Sequence, residues 1–287
     1  MAGEYVAAAL ACYGGLSVLA ARRILYPGRR LAVSAGPSWL VPSYITAGGI
    51  RVQVHTALSD ASAPVCVLQH GLGECSTRLA DAAACLRRLG FGVVMMDLPG
   101  HGGSSLAATT YGAREARVLA AVLDRLDVAR RVSILWGRST GAATVLRAAA
   151  GLPHVRALIL ECMFDNPIRA IARHAFGRRY QPLLPLLPGT VASISLFLRA
   201  RKATRFPLDT VCDVPLPLLL VSGSEDRGMP PHAQQRMLAR ARHHETRVVI
   251  VPGAGHYQCF PRQARTFEDW LVRYGFPDRT RPAAQPA

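Results

Sequence analysis

A mostly parallel α/β sheet with helices on both faces and a small helical cap is the fold class this sequence predicts, and three observations carry it. Short apolar runs near Val65, Val93, Val132, Ala157, Leu216 and Arg247 alternate with helical patterns at 78–89, 114–126, 140–150, 232–241 and 262–274. Such alternation builds parallel sheets covered on both sides. Several of the runs end in glycine-bearing turns that display a polar residue, as at Ser139 and His70. Finally, 287 residues at 50% apolar content suffice for one sizeable core, and nothing divides the chain into equal halves.

In chain order, residues 1–30 come first as an apolar, anchor-like helix followed by a basic juxtamembrane segment. Residues 6–21 are apolar or small, are preceded by Glu4 rather than a basic stretch, and are followed by Arg22, Arg23, Arg29 and Arg30. This is not the pattern of a standard cleaved leader. With Ile24, Leu25 and Tyr26 added, residues 5–26 reach the length needed to cross about 30 Å of hydrocarbon. Arginines on the following side place the rest of the chain in the cytoplasm by the positive-inside tendency. The competing expectation is a secreted or periplasmic protein, because Gly14-Gly15 weakens the helix and small residues near Ala20 offer a cleavage site.

A globular domain is expected over residues 40–276. It opens with a hairpin, residues 43–46 and 50–55 around Ala47-Gly48-Gly49, whose strands alternate apolar and polar side chains. The most telling stretch is Gly137-Arg138-Ser139-Thr140-Gly141, entered from the apolar run ending in Trp136 and left through an alanine-rich helix. Strand, sharp turn and helix make a nucleophile elbow, in which glycines two residues either side of the serine avoid collisions that a Cβ would cause. A glycine-flanked helix N-cap is the alternative. Downstream, Asp226 follows the run 216–222 and His256 follows 247–251, giving the order Ser, Asp, His. A serine hydroxyl is a weak nucleophile near neutral pH, so Ser139 needs His256 as base and Asp226 to fix its tautomer. Glu225 is the alternative acid, whereas Asp209 and Asp213 precede the strand.

With these motifs in that order, residues 44–274 resemble the α/β-hydrolase superfamily. His70-Gly71-Leu72-Gly73-Glu74 looks like the family's oxyanion loop, and Asp97-Leu98-Pro99-Gly100-His101-Gly102-Gly103-Ser104 like its D-x-x-G-H-G-x-S turn, which is read as architecture. Together they are similar to the monoacylglycerol-lipase and serine-aminopeptidase-like branch, although Arg138 and Thr140 stand where that branch often carries His and Met. The resemblance implies backbone donors at Leu72 and Thr140 for a tetrahedral oxyanion, an acyl-enzyme on Ser139, and no metal or organic cofactor. His70 and His101 are expected to stabilise turns, and Arg138 to be a salt-bridged structural arginine. His232, His243 and His244 are expected in surface loops.

The family's cap insertion falls at about residues 165–212. Between residues 166 and 206 stand Arg169, Arg173, Arg178, Arg179, Arg199, Arg201, Lys202 and Arg205, with no acid, interleaved with apolar stretches. Such a segment suits anionic headgroups or an acidic substrate, unless its arginines merely snorkel around an ordinary lid. The formal charge of +16 suggests nucleic acid at first. Lys202 is the only lysine, however, and no reader motif accompanies the arginines, so nucleic acid is excluded as a partner.

Seven cysteines without a C-x-x-C pair give neither a disulfide framework nor metal spacing, and favour a reducing compartment. Most are expected to be buried, and Cys259, three residues past His256, is read as plainly buried rather than as a functional group of the site. Residues 277–287 read as a disordered tail. The function expected is cleavage of carboxylic esters or thioesters, on small-molecule substrates or on acyl lipids at a membrane. A catalytically silent binding protein of the same fold, or a peptidase or acyltransferase with the same triad, are the alternatives.

Overall fold

The computed structural model describes residues 2–27, 36–58, 60–175 and 184–276. The expected tail at 277–287, Arg29 and Arg30, and Arg178 and Arg179 lie outside the described residues. Eight strands form one sheet in the order β1 (Val41–Ala47), β2 (Ile50–Ala57), β4 (Gly92–Met96), β3 (Val65–Gln69), β5 (Val132–Arg138), β6 (Ala157–Glu161), β7 (Leu218–Gly223), β8 (Arg247–Val251). The β1–β2 and β2–β4 pairs are antiparallel, and every later pair is parallel. The hairpin is therefore as expected, with Gly48 and Gly49 turning at positive φ. β7 begins two residues later than the apolar run near Leu216 suggests, because Pro217 cannot donate to the ladder.

Strands β3 to β7 are fully buried, so they carry apolar residues on both faces rather than alternating with polar ones. Val65 and Val67 of β3 face one core with Leu119 and Leu123 of α3 (Ala113–Arg125) and Val145 and Leu146 of α4 (Thr140–Ala148). Cys66 and Leu68 face the other, with Leu86 of α2 (Ala80–Arg88) and Phe267 and Leu271 of α9 (Cys259–Gly275). In that second core Trp136 stacks edge-on against Phe260 at 5.1 Å and tilted against Phe267 at 5.0 Å, an aromatic cluster directly behind the elbow. Helix α8 (Pro231–Leu238) closes the first core through Met237.

Between β6 and β7 lie α5 (Pro167–Ala175), α6 (Leu187–Ala200) and the short α7 (Pro207–Thr210). The buried Asp165 carboxylate ties the start of this insertion to α8, accepting from Arg236 at 2.6 and 2.9 Å and from Arg169 at 3.2 Å. The first helix, α1 (Ala2–Leu25), has two different halves. Every side chain from Glu4 to Leu16 is exposed, whereas Ser17, Ala21 and Leu25 are buried against α6. Helix α1 meets α6 closely because Gly189 has no side chain: a Cβ there would collide with Ser17, and the Gly189 amide donates to Tyr13 Oη at 3.2 Å. The Thr109 amide donates to Leu25 O at 2.7 Å, tying the end of α1 to the main domain.

Trp136→Ala is expected to destabilise the protein by about 3–5 kcal/mol, the range for emptying a buried aromatic site. Chemical denaturation should show this as a lower midpoint with little change in slope.

Candidate active site

Strand β5 delivers Ser139 onto a corner that ordinary residues avoid, with φ 53° and ψ −116°. Two close approaches enforce it. A Cβ on Gly137 would collide with the Gly141 backbone, and one on Gly141 would collide with the carbonyls of Gln69 and His70. Strain of this kind costs about 1–3 kcal/mol and persists only where packing over-determines it. Ser139 occupies the N-cap position of α4 but makes no side-chain capping bond, which removes the N-cap alternative for its hydroxyl.

At the ends of β7 and β8, the other two groups meet. His256 Nδ1 lies 2.6 Å from Asp226 Oδ2, while Asp226 Oδ1 accepts the amides of Gly228 at 3.0 Å and Met229 at 2.9 Å. Those amides orient the carboxylate, and the hydrogen bond puts the imidazole proton on Nδ1, leaving Nε2 as the basic nitrogen. Glu225 is exposed and is not the partner. Asp209 and Asp213 lie instead beside Arg240 and Arg205. Burial works against the imidazolium, but the hydrogen bond and charge of Asp226, together with Cys162, outweigh it and raise the pKa of His256 above the ordinary imidazole range. For Asp226 burial likewise opposes the charge, and the His256 contact overcomes it, lowering the carboxyl pKa.

Ser139 and His256 share one sheet edge. The Ser139 amide donates to Glu161 O at 2.8 Å, and Arg138 lies with its guanidinium carbon 5.8 Å from the ring of Tyr257, the neighbour of His256. No hydrogen bond joins Ser139 Oγ to His256 among the described residues, a bond that commonly tightens only with substrate bound. Leu72 lies in the turn after β3, where Gly71 is packed so tightly that its Cβ would stand 3.3 Å from Ser139 Cβ. Among the described residues, neither the Leu72 nor the Thr140 amide donates a hydrogen bond, so both expected oxyanion donors are unspent.

The remaining polar residues of these motifs are structural. Asp97 accepts from the Ser76 amide and hydroxyl at 2.7 Å each and from the Gly103 amide at 2.8 Å. His70 Nε2 accepts the Leu98 amide at 2.9 Å and its Nδ1 donates to Gly71 O, while His101 Nδ1 donates to Pro99 O at 3.1 Å. Burial, with His70 beside it, pushes the pKa of His101 down to about 4. Arg138 is ion-paired to Glu74 and Glu161, as expected of a structural arginine. His232 sits in the first turn of α8, 3.2 Å from Arg173, as the helical pattern at 232–241 expects and not in a loop.

Cys162 was not anticipated at the site. It follows β6 at φ 50°, and its sulfur, the Asp226 carboxylate and a His256 nitrogen lie within 4.8 Å of one another. These three form the one group among the described residues that could converge on a metal ion, but the Asp226–His256 hydrogen bond already commits two of them. Cys259, buried as expected, has its Sγ 3.5 Å from Cys162 Sγ. The one trace in the sequence was the position of Cys162 at a strand's carboxyl end, where open α/β sheets keep their crevices.

Comparison with known proteins agrees with this architecture. Residues 65–270 match the model of the α/β hydrolase family. The chain belongs to that family, and the expectation of a serine-hydrolase enzyme agrees with the membership. An uncharacterized protein of Mycobacterium tuberculosis strain H37Rv is 28% identical over 269 residues, covering 88% of this chain and 86% of that one. Among solved structures, an esterase of Pyrococcus furiosus superposes with a TM-score of 0.70 at 18% identity, over 87% of this chain and 99% of its own. A membrane phospholipase A described as a bacterial virulence factor superposes at 0.62 with 19% identity, over 94% of this chain and 96% of its own. At these identities the two structures speak for the fold alone.

The Asp226 contact makes a checkable statement about His256. Followed by NMR, the imidazole should titrate above 6.5, its ordinary value, and Asp226→Asn should bring the midpoint down. An unchanged midpoint would show that Asp226 does not control the ring.

Proposed function

We propose that this protein is a serine hydrolase that cleaves carboxylic ester or thioester bonds through an acyl-enzyme. The observation that carries the reading is the 2.6 Å contact of Asp226 with His256 Nδ1, on the sheet edge where Ser139 stands strained and uncapped. His256 Nε2 takes the Ser139 proton as Oγ bonds to the substrate carbonyl carbon. The carbonyl oxygen, now negative, accepts from the Leu72 and Thr140 amides, the second lying at the electropositive start of α4. When the tetrahedral species collapses, the bond to the leaving oxygen or sulfur breaks and His256 protonates the departing group. Water then repeats the sequence, giving up its proton to His256 and releasing the acid and free Ser139.

The substrates we favour are acyl lipids or small esters met at a membrane. Helix α1 is long and apolar enough to cross one, and its side chains from Glu4 to Leu16 are exposed. Exposed Leu10 and Leu19 would contact lipid, and Arg22 and Arg23 would stand at the interface, on the cytoplasmic side by the positive-inside tendency. The β6–β7 insertion acts as the cap over residues 165–212, with Arg199, Arg201 and Lys202 available to anionic headgroups. The similar extent of the membrane phospholipase A supports this reading.

A fluorophosphonate probe should label the wild-type protein covalently and leave Ser139→Ala unlabelled. Folded wild type that resists the probe would point to a silent binding protein instead. For the membrane reading, deleting residues 2–12 spares Tyr13 and the turns packed on α6 and should move the protein from the membrane fraction to the soluble one. Release of the intact chain by high salt alone would assign the attachment to the basic insertion.

A further inference from the structure

We infer that Glu74 and Arg138 are positioning residues, which together with Glu161 hold the oxyanion loop, the nucleophile elbow and the histidine loop in one register. The inference rests on the serine-hydrolase reading above. The three loops leave the sheet from different strands, and no single segment fixes their relative placement. A buried chain of charges does. Glu74 Oε2 accepts the Gly71 amide at 2.9 Å, and its Oε1 lies 3.4 Å from Arg138 Nη1. Arg138 Nε lies 3.3 Å from Glu161 Oε2, across the β5–β6 pair in which these two residues are register partners. Glu161 Oε1 accepts the Phe260 amide at 3.4 Å, four residues beyond His256.

Each link bears on a reacting group without touching it. Because the Glu74 carboxylate takes the Gly71 amide, and the Glu74 amide closes the turn onto Gly71 O at 3.3 Å, the loop's next donor, Leu72, is left unspent. The backbone carbonyl of Glu161 accepts from Ser139 itself. Arg138 also lies beside the ring of Tyr257, so the guanidinium meets all three loops.

Stability alone does not account for the arrangement. Side-chain exposure is 7% for Arg138, 6% for Glu74 and 0% for Glu161, and buried ion pairs seldom gain more than their desolvation costs. What the bridging guanidinium supplies is placement, since one rigid planar cation spans two carboxylates from different segments of the chain. Misplacement by about 1 Å at a reacting centre can cost roughly 100-fold in rate.

The test measures hydrolysis of p-nitrophenyl acetate by the full chain, with thermal melting and fluorophosphonate labelling alongside. Glu74→Ala should lower kcat by roughly 100-fold while KM stays within about twofold, as expected for a displaced oxyanion donor. Glu74→Gln, whose amide oxygen can still accept from Gly71, should recover kcat to within about tenfold of wild type. Arg138→Lys keeps the charge but lacks the planar guanidinium, and serves should Glu74→Ala fail to fold; it should lower kcat by about tenfold at unchanged KM. Wild-type kcat in folded Glu74→Ala or Arg138→Lys, or equal losses in Glu74→Ala and Glu74→Gln, would overturn the positioning role while leaving the hydrolase reading intact. A wild type neither labelled nor active would overturn that reading, and the positioning role with it.

Discussion

The close approach of α4 to the ends of β3 and β5 is the constraint on which the rest of the site depends. Only glycine fits at 137 and 141, because the backbones of strand, helix and neighbouring loop nearly touch there. That contact holds Ser139 at positive φ, at the N-cap position of α4. One packing restriction therefore sets both the strained serine and its place at the electropositive start of a helix. Trp136, wedged between Phe260 and Phe267, backs the corner from the opposite face and keeps it from relaxing.

Charge is used sparingly around that corner. The formal charge of the chain is +16, yet the groups buried at the site are mostly acids: Glu74, Glu161 and Asp226, with Arg138 between the first two. Each acid is spent on backbone amides or on a cationic or imidazole partner, as low-dielectric surroundings demand. Elsewhere, Asp165 gathers Arg169 and Arg236 and so turns part of the basic insertion into an anchoring device rather than a free positive surface.

Much of this was legible from residue order. The nucleophile elbow and the sheet read directly because glycine spacing and apolar runs are local consequences of steric rules. Asp226 could be preferred over Asp209 and Asp213 since only it follows a strand. Cys162 and the Glu74–Arg138–Glu161 chain were not legible in the same way, since their meaning lies in contacts between strands adjacent in space but distant in sequence. Arg138 could be called salt-bridged, but its two partners are set by the β3–β5–β6 strand order, which no local pattern encodes. The loop reading of His232 conflicted with the helical pattern at 232–241, and the pattern prevails: Pro230 caps α8 and Pro231 suits its first turn.

The two-part character of α1 has a mechanical consequence. Its last turns are clasped by α6 and by the Leu25–Thr109 bond, so the protruding half cannot swivel independently of the domain that carries Ser139. Whatever surface receives that rod also dictates the tilt and height at which the domain is presented. If that rod enters lipid, as proposed, it is a rigid mount rather than a leash, and any shift of its own axis passes straight into α6.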